Sequence, residues 1–164
     1  MGGVLVEPDI KSFELLKRNY NGMKNLQFEN SAISNKDGDI NFYISPNNML
    51  SSLHNDEWFK GRNYGKSYDR RISLGGSKLI SINSMTLKSL LLKYDIKGID
   101  LLQIDTEGYD LEILKQIDFR LIKPKMICFE HHHFSQEEIQ PCYESLRNSG
   151  YSIMKIGMDT FAYL

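Results

Sequence analysis

The chain is poor in cysteine and long apolar runs, and its charges nearly cancel. Its two cysteines, Cys128 and Cys142, stand in no Cys-x-x-Cys spacing, which argues against a disulfide framework. Cys128 lies inside the apolar run Met126-Ile127-Cys128-Phe129, so a buried free thiol in a reducing compartment is the expectation. Nowhere do about 18 apolar residues follow one another, as a membrane-spanning helix requires. The start, Met1-Gly2-Gly3-Val4, has no basic segment leading into an apolar one, and a cytoplasmic location is expected. Lys and Arg number 20 against 21 Asp and Glu, a formal net charge of −1. No global field draws the chain to nucleic acid or to an anionic membrane, and neither is an expected partner. What the 164 residues do have is 41% apolar content. A chain of this length buries roughly 70% of its unfolded surface, enough for one domain with a sizeable core.

Short apolar runs alternate with segments of helical period. Val4-Leu5-Val6 reads as a buried strand closing at Glu7-Pro8. Asp9 then caps a helix with Ile10, Phe13, Leu16 and Tyr20 on its apolar face, ended by Asn21-Gly22. Residues 26–33 alternate as a strand, Asp37-Gly38 signals a hairpin, and residues 40–44 return as its partner. After a strand at 78–82, Ser84 caps a helix bearing Leu87, Leu90, Leu91 and Tyr94. The most apolar strand, 99–105, leads into a helix with Leu111, Leu114 and Ile117 on one face, and another strand follows at 126–130. Ser135-Gln136-Glu137-Glu138 is a capping box for a helix kinked at Pro141 and stopped by Gly150. Residues 151–156 and 160–164 close the chain as a hairpin. This order predicts an α/β fold in which one mostly parallel sheet, covered by helices, ends in an antiparallel hairpin. Residues 45–77, broken by Pro46, Gly61, Gly65, Gly75 and Gly76, are unsuited to the core. A connection longer than about 12–15 residues reads as a lid or a flexible segment.

Ligands of parallel sheets bind beyond the carboxyl ends of the strands, here Glu7 and residues 30–32, 105–108 and 130–133. Glu7, followed by the rigid Pro8, can accept both hydroxyl hydrogens of a ribose; the plainer reading is a charged strand end. Asp105-Thr106-Glu107-Gly108 sets two carboxylates two residues apart, before a glycine that lets a ligand or backbone come close. Such a pair can act as general base, orient a substrate hydroxyl or hold a divalent metal, or Asp105 can simply cap the next helix. In Glu130-His131-His132-His133, successive residues of an extended segment face opposite ways, so at most two imidazoles reach the crevice. The alternative is a set of polar residues opening a loop. Trp58, Phe59, Tyr64 and Tyr68 interleave with Lys60, Arg62, Lys66, Arg70 and Arg71, a pattern that can stack on bases or sugars. Five basic against three acidic residues leave 55–71 with a net charge of only +2, and a solvated loop is the plainer reading.

Leu5-Val6-Glu7-Pro8-Asp9, Asn30-Ser31-Ala32-Ile33-Ser34, Ser51-Ser52-Leu53 and, above all, Ile99-Asp100-Leu101-Leu102-Gln103-Ile104-Asp105-Thr106-Glu107-Gly108-Tyr109-Asp110-Leu111-Glu112 resemble the FkbM-type family of S-adenosylmethionine-dependent methyltransferases. The resemblance runs from Val4 to about His133 and implies a Rossmann-like class I methyltransferase sheet. It implies S-adenosylmethionine as cofactor, with Glu7 and Pro8 at the ribose and Asn30, Ser31 and Ala32 flanking the adenine. Asp105 and Glu107 would then face methyl donor and acceptor, with Glu130 at the neighbouring strand end. The implied reaction is O-methylation of a small-molecule or carbohydrate hydroxyl. Asp105 or Glu107 would take the proton, with His132 as a substitute, and the sequence does not choose among them.

In the family, a first strand, a glycine-rich turn and a helix precede the strand that ends in Glu7; here Met1-Gly2-Gly3 leads directly into that strand. The expectation is a single partial domain over 1–164 with a lid-like insertion at about 45–77. Either a longer protein supplies the first strand and helix, or strands 4–7 and 99–105 pair directly. Two other functions compete. One is a non-catalytic methyltransferase-like remnant acting as a binding module. The other is a metal-dependent hydrolase built on Asp105, Glu107, Glu130 and a histidine, but no ligand spacing is diagnostic and no metal is assigned. The sequence names neither the acceptor nor an oligomeric state.

Overall fold

The computed structural model describes residues 2–46, 50–60, 62, 69 and 72–164. Strand β1 (Gly3–Val6) ends before Pro8, which has no N–H to continue a ladder. Helix α1 (Ile10–Asn19) is opened by Asp9, whose carboxylate accepts from the Ser12 amide at 3.0 Å. Phe13 is its buried side chain, whereas Ile10 and Tyr20, expected on the apolar face, are exposed. Strand β2 (Leu26–Glu29) runs parallel to β1, with Gly3 opposite Leu26 and Val6 opposite Glu29.

The strand expected over 26–33 is cut at Asn30. Its side-chain amide donates to the carbonyls of Glu7 (2.8 Å) and Pro8 (3.1 Å), and β3 (Ala32–Ile33) continues in a different sheet. There β5 (Lys78–Met85) is central, parallel to β3 and antiparallel to β4 (Gly38–Ile44). The hairpin expected between 26–33 and 40–44 therefore does not form. Side chains pin the intervening turn to the end of β5 instead. The Asp37 carboxylate accepts from the Thr86 amide and the Ser89 hydroxyl, each at 2.7 Å. The Ser84 hydroxyl lies 2.9 Å from the Lys36 carbonyl and 2.8 Å from that of Gly38.

The single-turn helix α2 (Asp56–Phe59) lies in the connection from β4 to β5. Helix α3 (Leu87–Lys93) is capped by Thr86, which accepts from the Ser89 amide at 3.1 Å, rather than by Ser84, which belongs to β5. A third sheet holds β6 (Leu101–Ile104), β7 (Met126–Glu130), β8 (Ser152–Ile156) and β9 (Asp159–Tyr163) in the order β6-β7-β9-β8. Within it β6 and β7 are parallel, and β9 is antiparallel to both β7 and β8, closing the expected terminal hairpin. Helix α4 (Asp110–Leu114) follows β6, and α5 (Gln136–Asn148) follows β7 behind the expected capping box. The Ser135 hydroxyl accepts from the Glu138 amide at 3.3 Å, and the Glu138 carboxylate accepts from the Ser135 amide at 2.8 Å.

The chain is thus a mixed α/β structure in which β1 and β6 occupy separate sheets. The expected single, mostly parallel Rossmann-like sheet is therefore not formed among the described residues, and those two strands do not pair directly. Among the described residues β1 is bonded only to β2, and β6 only to β7. What they share is side-chain burial. Val4, Val6 and Ile33 press on a core that includes Ile104, Leu111, Ile127, Phe129, Tyr143 and Leu146. Hydrophobic burial is non-directional and can join separate sheets, whereas a ladder needs backbones about 4.8 Å apart. A polar tie adds to it: the buried Glu29 carboxylate at the end of β2 accepts from Lys93 (2.5 Å) and from the Tyr94 hydroxyl (2.8 Å) at the end of α3.

Leu50 and Phe59 form a small separate cluster against Trp58, so the described part of the 45–77 connection stays out of the main core. Of the residues singled out there, Tyr64, Lys66, Tyr68, Arg70 and Arg71 lie outside the described residues. Cys128 and Cys142 are free and only half-buried. Among the described residues no helix is long and apolar enough to cross a membrane.

Candidate functional site

Because β6 and β7 are parallel neighbours, with Ile104 opposite Phe129, the chain leaves both strands side by side, at Asp105 and at Glu130. Asp110, the first residue of α4, is wholly buried and ties the two exits together. Its carboxylate accepts from the Thr106 hydroxyl (2.7 Å), the Thr106 amide (3.3 Å) and the Glu130 amide (3.2 Å). Burial pushes the Asp110 carboxyl above the usual range, and these hydrogen bonds oppose the shift. Sequence reasoning gave Asp110 no role. The available signal was its position four residues after Thr106, one helical turn away.

Between these ties, Glu107 (φ 52°) and Gly108 (φ 98°) are both left-handed. At 108 only glycine fits, since a Cβ there would run into the Trp58 ring. Glu107 has no such freedom, and its conformation costs of order 1–3 kcal/mol. The Ser52 hydroxyl holds the turn by donating to the Glu107 carbonyl at 2.9 Å, and His54 Nε2 lies 3.2 Å from the Gly108 carbonyl. The resulting bend sets the Glu107 carboxylate 3.7 Å from His133 Nε2.

Glu130 is the hub of the arrangement. Its carboxylate lies 2.5 Å from His133 Nε2 and 3.1 Å from His132 Nδ1. Two histidines reach it because the chain turns at once after β7, with the Phe134 amide donating to the His131 carbonyl at 3.2 Å. His131 goes elsewhere, its Nδ1 lying 3.1 Å from the Thr160 hydroxyl. Asp105 sits exposed at the rim, yet partial desolvation and then the Glu130 and Asp159 charges push its carboxyl up. Glu130 is also raised, chiefly by burial, against the pull of His132. Burial holds His133 down at about 4, a neutral imidazole at pH 7.

The described part of the insertion docks onto this site, which corrects the reading of a solvated loop there. Arg62 donates to the His133 carbonyl at 2.9 Å and to both carboxylate oxygens of Glu138, at 3.1 and 2.8 Å. Its guanidinium lies 4.0 Å over the Trp58 ring, and Trp58 in turn stacks on His54 at 4.0 Å and 4°. The Arg62 pair holds the Glu138 carboxyl at about 2. A cavity of about 190 Å³ opens here, lined by His54, Trp58, Gly108, Leu111, Phe134 and Glu138 among others. His54 was not foreseen as a site residue; it follows Ser51-Ser52-Leu53 directly.

The remaining candidates gather at the end of β1 and β2. The Glu7 carboxylate accepts from the Asp9 amide at 2.8 Å, and burial raises its pKa. Asn30 clamps the carbonyls of Glu7 and Pro8, and Ser31 and Ala32 are buried behind it. The structure thus collects the predicted residues in two groups: Glu7, Pro8, Asn30, Ser31 and Ala32 in one, and Asp105, Glu107, Glu130 and His132 in the other. Asp105, assigned to both roles, stands with the second.

Compared with known families, residues 1–153 match the methyltransferase FkbM domain. No curated protein and no solved structure matches the chain.

Proposed function

Since the chain belongs to the methyltransferase FkbM domain family, we propose that it transfers the methyl group of S-adenosylmethionine to a hydroxyl of a small molecule or sugar. The observation that carries this reading is the convergence of Asp105, Glu107 and Glu130, whose carboxylate oxygens lie within 4.8 Å of one another at adjacent strand ends of such a chain. S-adenosylmethionine, when bound, supplies an electrophilic methyl group on a sulfonium. The β1–β2 end suits its ribose: Glu7 is half-buried, one of its oxygens is fixed by the Asp9 amide, and Asn30 holds the strand end in place. Ser31 and Ala32 would flank the adenine. On this reading residues 1–164 act as one domain and the 45–77 segment as its lid.

Asp105 would take the acceptor's proton. It is accessible at the rim, and its raised pKa makes it a stronger base than an ordinary aspartate. Glu107 and Glu130 would orient the acceptor, with His132 as the alternate proton carrier. Trp58 and His54 line the adjoining cavity, where the acceptor would sit. Alignment of donor and acceptor can contribute about 7–11 kcal/mol to such a reaction, which is why the strand ends must be rigid.

Equilibrium dialysis with labelled S-adenosylmethionine tests the reading. Glu7→Ala should lower the affinity about tenfold to a hundredfold, as loss of a charge-assisted hydrogen bond of about 1.5–3 kcal/mol implies. Asp105→Asn should lower release of S-adenosylhomocysteine more than it lowers cofactor affinity. Indifference to Glu7→Ala overturns the ribose assignment. A second reading, a non-catalytic binding module, is favoured by the separation of β1 and β6 into different sheets. Absence of cofactor binding would select it.

A further inference from the structure

We infer that Glu130, His132 and His133, joined by Glu107, form a binding site for a divalent first-row transition ion such as Zn²⁺ or Mn²⁺. Ligand atoms of Glu130, His132 and His133 all lie within 4.8 Å of one another, and so do those of Asp105, Glu107 and Glu130. Glu130 belongs to both sets, and Glu107 reaches across to His133 Nε2 at 3.7 Å. Two imidazoles and the Glu130 carboxylate, with the Glu107 carboxylate beside one of the imidazoles, match the mixed nitrogen and oxygen preference of Zn²⁺, Mn²⁺ or Fe²⁺ rather than the all-oxygen shells of Ca²⁺ and Mg²⁺. The presence of both imidazoles distinguishes this cluster from an ordinary acidic patch.

The backbone that carries the ligand residues is pinned on both sides. Here the buried Asp110 holds the Glu130 amide at 3.2 Å, and Arg62 holds the His133 carbonyl at 2.9 Å. The capping box at Ser135 fixes the chain just beyond. Glu138 pairs with the Arg62 guanidinium through both oxygens, which offsets part of the positive charge beside His133. His133 Nε2 and Glu130 share a hydrogen bond of 2.5 Å; ligation of one ion replaces it, the shared proton passing to Nδ1 or to solvent, and moves the two atoms to about 3–3.4 Å apart, as ligand bonds of about 2.1 Å require. The site lies beside Asp105, so under the methyl-transfer reading the ion would also meet the acceptor hydroxyl, and that role rests on that reading.

The binding itself is tested independently. The full chain, stripped with a chelator and dialysed, is titrated calorimetrically with Zn²⁺ and separately with Mn²⁺. One ion per chain is expected, and His133→Ala and His132→Ala should each weaken it at least tenfold. His132 is the more exposed of the two, so its variant remains informative if His133→Ala fails to fold. His131→Ala is the control, because its ring points to Thr160, and it should leave affinity unchanged. Binding that is absent, that survives both site variants, or that falls equally in His131→Ala overturns the site. Dialysis with S-adenosylmethionine, run separately, distinguishes failure of the metal site from failure of the methyltransferase reading.

Discussion

The two strand-end regions are built from the same unit, a pair of parallel strands, yet they are secured differently. At β1 and β2 the tie is the neutral Asn30 amide, donating to two carbonyls. At β6 and β7 it is the buried Asp110 carboxylate, accepting three hydrogen bonds from both exits, with a docked Arg62 above. A neutral clamp suffices where one carboxylate, Glu7, must face a ligand. Where Asp105, Glu107 and Glu130 crowd together, the clamp is itself a carboxylate, pushed up by burial and by the Asp105 charge, and its hold rests on the three donors it accepts from.

The largest effect should come from the stronger clamp. Asp110→Ala leaves the Thr106 and Glu130 amides without their acceptor in a buried place, and a loss of about 3 kcal/mol or more is expected from urea unfolding. A loss below about 1 kcal/mol would show that Asp110 does not hold the strand exits.

Asn30→Ala should cost less, about 1 kcal/mol, because the two carbonyls it frees are only partly buried and water can replace the amide. If it equals or exceeds Asp110→Ala in the same assay, the contrast between the two ends collapses.

The smallest effect concerns pH and the docked insertion. The Glu138 carboxyl is depressed from 4.5 to about 2 by Arg62. Its stabilising contribution is therefore complete above about pH 4.5 and fades as pH falls towards 2. The chain has one tryptophan, Trp58, which lies under the Arg62 guanidinium, so its emission reports docking directly. Wild type and Glu138→Gln should differ at pH 6 and converge below about pH 2. A difference that persists unchanged at low pH would mean that Glu138 does not hold the insertion in place.

Much of the local structure was legible in the residues. The helix starts at Asp9 and Ser135, the strand over 126–130, the terminal hairpin and the buried Leu111 and Leu114 of α4 all depend on neighbours within a few positions, whereas Ile117, expected on the same helix, is buried beyond its end. Where Ser84 was taken for a cap, Thr86 two residues on does that work, since β5 runs longer than its apolar alternation suggests. The candidate carboxylates were also visible, as polar residues ending apolar strands. Asp110 and His54 were not, because nothing local marks a buried acceptor or a ring that meets a carbonyl 54 residues away.

By itself the sequence determined the family, the helix caps at Asp9 and Ser135 and the residues that stand at the carboxyl ends of the strands. Caps, periodicity and strand-end chemistry are short-range properties written into consecutive positions. Tertiary structure alone decided which strands pair, that β1 and β6 share a core but no sheet, and that His132 and His133, not His131, turn back to Glu130. Those outcomes depend on long-range side-chain ties such as Asn30 to Glu7, Ser84 to Gly38 and Arg62 to His133. Their partners lie tens of residues apart, and only folding brings them within a hydrogen bond of each other.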